Sequence, residues 1–97
     1  MPAYMIITAK VHDRAAFLER YGKPAAALVA AHGGRYIVRA PGAEVWEGGG
    51  ESGRSVVVSE WPDKAAIERF WTCAEYAALK AERGPLADVD VMVVEAL

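Results

Sequence analysis

Three stretches of this chain are apolar on both of their alternating faces. In Ala3 to Val11, the side chains of Met5, Ile7, Ala9 and Val11 fall on one side of an extended strand, and Tyr4 and Ile6 fall on the other. Val56, Val57 and Val58 run consecutively, as do Val91, Met92, Val93 and Val94. Residues of these types favour strands, and a strand that is apolar all round needs cover on both sides. Any fold for this chain must therefore bury two sheet faces.

The segments between the strands supply cover for one face. Asp13 offers an N-cap carboxylate, after which Phe17, Leu18, Tyr21, Ala25, Leu28 and Val29 recur at helical spacing down to His32. Pro24 predicts a kink or a restart with the proline in a first turn, Gly33 a left-handed stop, and Gly34 a loose exit. Arg35 to Ala40 then alternates Arg35, Ile37 and Arg39 against Tyr36, Val38 and Ala40. Pro41 and Gly42 mark a turn, and "AEVWEG" reads as a short return strand ending at the glycines Gly48 to Gly50. Arg54 to Trp61 is the next strand. Pro62 and Asp63 open a second helix carrying Ala66, Ile67, Phe70 and Trp71 on one stripe. Thr72 and Glu75 have capping-box spacing, so a break and restart is expected there before Gly84 and Pro85 end the helix. "DVDVMVVEAL" is the last strand.

The order β-α-β-(short β)-β-α-β predicts an α+β, ferredoxin-like antiparallel sheet with helices on one face, in a single domain over residues 1–97. The uncovered apolar face would exceed the few hundred Å² tolerated on monomers, which predicts a homodimer joined sheet to sheet. Composition agrees: 54% of the residues are hydrophobic, above the usual ~45 to 50%, in a chain too short to bury a large core alone. A formal charge of -2 with scattered Lys and Arg argues against nucleic acid as partner. One cysteine, Cys73, forms no internal disulfide, and no secretory leader or membrane-length apolar run is present, so a cytoplasmic location is expected.

The pieces "AHGGRYIVRA", "EVWEG", "VVVSEWPDKAAIERFW" and "AEYAALKAER", with an N-terminal "AYMI", resemble in order and spacing the family of domain of unknown function 1330. That resemblance implies a dimeric α+β barrel and names no activity. The wider barrel group includes cofactor-free quinol monooxygenases, lactone isomerases and haem proteins; the chain has no Asn, which speaks against haem degradation of the asparagine-histidine-tryptophan type.

Candidate chemistry rests on few residues. His32 and Glu60 are the candidate bases, although His32 also suits a helix C-cap. Arg39, with Glu60, is expected to point between sheet and helices or between subunits and to hold a ligand carboxylate. Tyr36, Trp71 and Tyr76 are candidate walls of an aromatic pocket, and Arg83 lies two helical turns from Tyr76 on the same face. No His/Cys/carboxylate spacing typical of a metal site occurs, and no cofactor is expected. The readings carried forward are a homodimer that binds a small aromatic or carboxylate-bearing metabolite, a cofactor-independent monooxygenase or isomerase, and a structural dimerisation module.

Overall fold

The computed structural model describes all residues 1–97. Strand β1 (Ala3–Val11) leads into a continuous helical run made of α1 (Arg14–Phe17), a π-helical turn (Leu18–Gly22) and α2 (Lys23–Ala31). Strands β2 (Arg35–Ala40) and β3 (Ser55–Trp61) follow, then α3 (Lys64–Thr72), α4 (Ala74–Arg83) and β4 (Ala87–Glu95). Every pairing is antiparallel and the strand order is β2-β3-β1-β4, the ferredoxin-like α+β plan.

Register divides the sheet into two faces. Pairs Ala3↔Trp61, Met5↔Ser59 and Ile7↔Val57 face the helices, where Ala3, Met5 and Trp61 join Val29, Phe70 and Tyr76 in one buried cluster. Trp61 anchors it at 1% exposure, its Nε1 donating to Ser59 Oγ at 2.8 Å so that no polar atom is left unpaired. The other face carries Ile6, Val56, Val58, Val38, Met92 and Val94, with Val38 at 42%, Met92 at 59% and Val94 at 44% exposure. The expected two-faced sheet is present, and nothing in one copy of the chain covers its second face.

Local chemistry refines several expectations. The restart expected at Pro24 is present, and a π turn makes it: Lys23 N–H bonds Leu18 C=O, and Pro24 enters α2 in its first turn. An α-helical turn there would press the proline ring on the Arg20 carbonyl, and the wider turn avoids that. Gly33, at φ +89°, closes α2 in a Schellman motif, with Gly34 N–H to Val29 C=O at 3.0 Å and Gly33 N–H to Ala30 C=O at 3.1 Å. Gly34 is not a loose exit; it is where the backbone passes against the Trp61 ring. Thr72 bonds back to Glu68 C=O at 2.7 Å, and Cys73 takes the N-cap role for α4, its Sγ accepting from Tyr76 N–H at 3.4 Å.

Two corrections matter more. The return strand expected in "AEVWEG" is absent; β2 and β3 are joined by an irregular loop held by Ala43 N–H to Arg54 C=O and Gly53 N–H to Ala43 C=O, both 2.8 Å. Three consecutive glycines offer no side chains to pack, so pairing stops after Ala43. The alternation of β2 also breaks. Tyr36 pairs with Ser59 and Val38 with Val58, leaving Ile37 as an unpaired extra residue. This bulge turns Arg39 to the same face as Tyr36 while Arg35 stays on the opposite one.

A Cβ on Gly34 would lie 2.7 Å from Trp61 Cε2 and 2.8 Å from Val29 Cγ1. Gly34→Ala is therefore expected to destabilise the fold by about 1–3 kcal/mol in denaturant unfolding. Gly42→Ala, whose Cβ meets nothing within 4 Å, should leave the midpoint unchanged.

Candidate functional site

The helix side of the sheet is filled unevenly. At one end Trp61, Phe70 and Tyr76 pack ring against ring, with centroids 5.2 and 4.5 Å apart. Toward the other end the facing residues are small: Ala9 and Ser55 on the strands, Gly22 and Ala25 on the helix. The missing volume is an open cleft of about 280 Å³ between the first helix and the sheet. That is near the lower end of the ~300 to 1,000 Å³ common for small-ligand sites. Ile7 and Val57 form its floor, and Phe17, Leu18 and Tyr21 its helical wall.

Three arginines border this apolar cleft, Arg14 from α1, Arg39 from β2 and Arg83 from α4, and no acidic residue lines it. None of the three forms an ion pair. Arg14 Nη2 donates to Ser55 Oγ at 3.2 Å, and the Arg39 guanidinium sits 5.0 Å from the centre of the Tyr36 ring. Arg83 Nη1 donates to the Tyr76 hydroxyl at 2.9 Å. Burial, reinforced by the nearby Tyr21 oxygen, pushes the Tyr36 phenol above its usual range against the opposing pull of Arg39. Tyr36 therefore stays a neutral hydrogen-bonding group at physiological pH. The cleft offers cations, hydroxyls and apolar walls, and contains no imidazole or carboxylate to take up a proton.

Of the residues singled out from the sequence, Arg39, Tyr36 and Arg83 come together here, with Tyr76 directly behind the Tyr21 wall. Trp71 lies apart, in a groove of about 240 Å³ between α3 and β4, under Lys80 Nζ at 4.4 Å. His32 caps α2, and its Nδ1, 3.0 Å from Leu28 C=O, carries the proton because a carbonyl only accepts. Glu60 is on the far face of the sheet, not with Arg39. There it accepts from Tyr4 OH at 2.9 Å and from Arg35 Nε and Nη2 at 2.9 and 2.6 Å. Ile37 explains the separation, since without the bulge Arg35 and Arg39 would share a side. Arg14 and Tyr21 belong to the site although nothing in the sequence pattern separates them from a helix surface and a core stripe.

No group of three His, Cys, Asp or Glu side chains is placed to hold a metal ion, and no helix is long and apolar enough to cross a membrane.

The family described as domain of unknown function (DUF1330) matches residues 2–97. Among solved structures, a protein of unknown function from Rhodopseudomonas palustris superposes with a TM-score of 0.78 at 16% identity, over 99% of this chain and 82% of that one. SnoaB, a cofactor-independent oxygenase from Streptomyces nogalater, gives 0.71 at 15% identity over 99% and 93%. A candidate antibiotic biosynthesis monooxygenase from Caulobacter crescentus gives 0.69 at 19% identity over 99% and 90%. At these identities the likeness establishes the shared fold. No curated protein matches the chain in sequence.

The hydrogen bonds from Arg35, and next from Tyr4, hold the Glu60 carboxyl below its ordinary range. A depressed carboxylate contributes stability above its unfolded-state pKa and loses it as pH falls through the folded one. Carboxyl NMR titration should thus find Glu60 among the last glutamates to protonate on acidification. Arg35→Ala should return it toward the normal value and remove the acid-dependent part of stability that wild type shows there. Identical Glu60 titration in the two proteins would contradict the pairing.

Proposed function

From the premise that the chain belongs to the family of domain of unknown function 1330, we propose that it binds a small aromatic or carboxylate-bearing metabolite in the cleft between its first helix and its sheet. It does so as a homodimer joined through the opposite sheet face. The observation that carries the binding reading is the set of three guanidinium groups, without ion-pair partners, around an apolar opening. A guanidinium beside low-dielectric walls attracts a carboxylate more strongly than one in open water, and its planar fork matches the two oxygens. Apolar floor and aromatic walls favour a flat hydrocarbon body. The exposed Val38, Met92 and Val94 on the second face support the dimer reading, since a monomer would leave them against water.

A second reading draws on the fold shared with the cofactor-independent oxygenase SnoaB. Here the arginines and phenols would hold an enolate or phenolate for attack on molecular oxygen, the substrate itself being the reductant: one oxygen atom stays on the oxidised carbon and the other leaves as water. Because the cleft itself lacks a carboxylate or imidazole, such a substrate would have to arrive ionised or lose its proton to water. A purely structural module has no use for the opening.

Benzoate and its neutral isostere benzamide separate the charge from the body. Calorimetric titration should show wild type preferring benzoate, and Arg39→Ala weakening benzoate about ten- to a hundredfold while leaving benzamide unchanged. Equal benzoate affinity in wild type and Arg39→Ala would remove Arg39 from the site. Oxygen uptake with a hydroquinone, dependent on the protein, would favour the second reading over simple binding.

A further inference from the structure

Tyr21, on the π-helical turn, and Tyr76, on α4, meet hydroxyl to hydroxyl at 2.8 Å. Arg83 Nη1 reaches both, at 2.9 Å to Tyr76 and 3.5 Å to Tyr21. The protons in this cluster can be assigned from burial. Tyr76 is 1% exposed, and its hydroxyl touches only those two partners. Arg83 has no acceptor, so the Tyr76 oxygen accepts from Arg83 and the Tyr76 proton has a single acceptor within reach, the Tyr21 oxygen. A buried hydroxyl proton left without an acceptor is costly; of the two tyrosines only Tyr21, 9% exposed, lines the cleft and has open space beside its side chain, so Tyr76 is assigned as the donor. Burial, then the neighbouring Tyr21 oxygen, raises the Tyr76 phenol above its ordinary range, so it keeps the proton it donates.

The consequence falls on Tyr21. Its oxygen is occupied as an acceptor, its own proton has no partner in the protein, and its side chain lines the cleft from which Tyr76 is excluded. Arg83 lines the same cleft and keeps Nε and Nη2 uncommitted, since both its hydrogen bonds leave from Nη1.

We propose that the Tyr21 hydroxyl and the Arg83 guanidinium form an oxyanion subsite in the wall of the cleft, with Tyr76 as the positioning residue that fixes the direction of the Tyr21 proton. The proposal rests on the reading of the cleft as a ligand site and narrows its ligand class to planar molecules whose anionic oxygen is attached to an sp² carbon: phenolate, enolate or carboxylate. A fixed O–H beside a guanidinium stabilises the ionised form over the neutral one, because both contacts strengthen with charge on the oxygen. Arg39 and Arg14, on other walls, remain available for a second polar group of the same ligand.

4-Nitrophenol tests this, because its phenolate absorbs at a wavelength its phenol does not. At a pH where the free dye is half ionised, dye bound to wild type should be mostly phenolate. Tyr76→Phe should move the bound fraction back toward the free value and weaken phenolate binding about three- to tenfold, and Tyr21→Phe should weaken it about tenfold or more. A merely structural tyrosine would alter affinity for ionised and neutral dye alike. Circular dichroism checks that Tyr76→Phe folds; where it does not, Tyr21→Phe alone carries the comparison. Wild-type ionisation of the bound dye in both variants would overturn the subsite while benzoate binding leaves the cleft reading in place. Absence of both benzoate and dye binding to wild type would overturn the two together.

Discussion

One layer of helix has to serve a sheet that is apolar on both sides. This mismatch governs the molecule. Helices α1 to α4 cover a single face, and they seal only part of it, around Trp61, Phe70 and Tyr76. Where Ala9 and Ser55 oppose Gly22 and Ala25, the same layer stands off and leaves the cleft. The second face has no cover within the chain, and Met92 and Val94 stand there in solvent. The two unfilled surfaces differ in shape and so in what they can hold. A concave cleft suits a small ligand, and a flat face suits another sheet.

Polar groups are sorted by the same sheet. The bulge at Ile37 sends Arg39 into the cleft and Arg35 to the opposite face, where Glu60 and Tyr4 satisfy it. Arg35 is thus neutralised by a carboxylate, while Arg14, Arg39 and Arg83 are left with hydroxyls and aromatic rings. One short strand supplies both a structural ion pair, through Arg35, and a cation bordering the cleft, through Arg39. The π turn contributes in a comparable way, since it carries Tyr21, whose phenol joins the wall of the cleft to Tyr76 and Arg83.

Periodicity made the strands, the helices and the ferredoxin-like order legible, because alternation and 3.6-residue recurrence extend over many residues and tolerate a local error. The Gly33 stop was legible for a related reason, as few residues accept φ near +89°. What escaped was local and depended on distant partners. A one-residue bulge leaves no periodic trace, yet it reverses every side chain beyond it, so plain alternation puts Arg39 and Glu60 in one site and the fold separates them. Gly34 reads as flexibility until the Trp61 ring is seen against it. Arg14 and Tyr21 were hidden because a first-turn arginine and a stripe tyrosine look the same on a plain amphipathic helix as beside a cleft. Arg83 and Tyr76 were the exception: their spacing of two turns announced the contact that Nη1 makes at 2.9 Å.

Native mass spectrometry of the untagged protein, sprayed from volatile buffer after mild purification, tests the division of labour between the two faces most directly. The expected species is a dimer that carries a reproducible small acidic adduct, displaced by an excess of benzoate. A chain that remains monomeric at micromolar concentration would contradict this division, because the exposed second face would then need no partner.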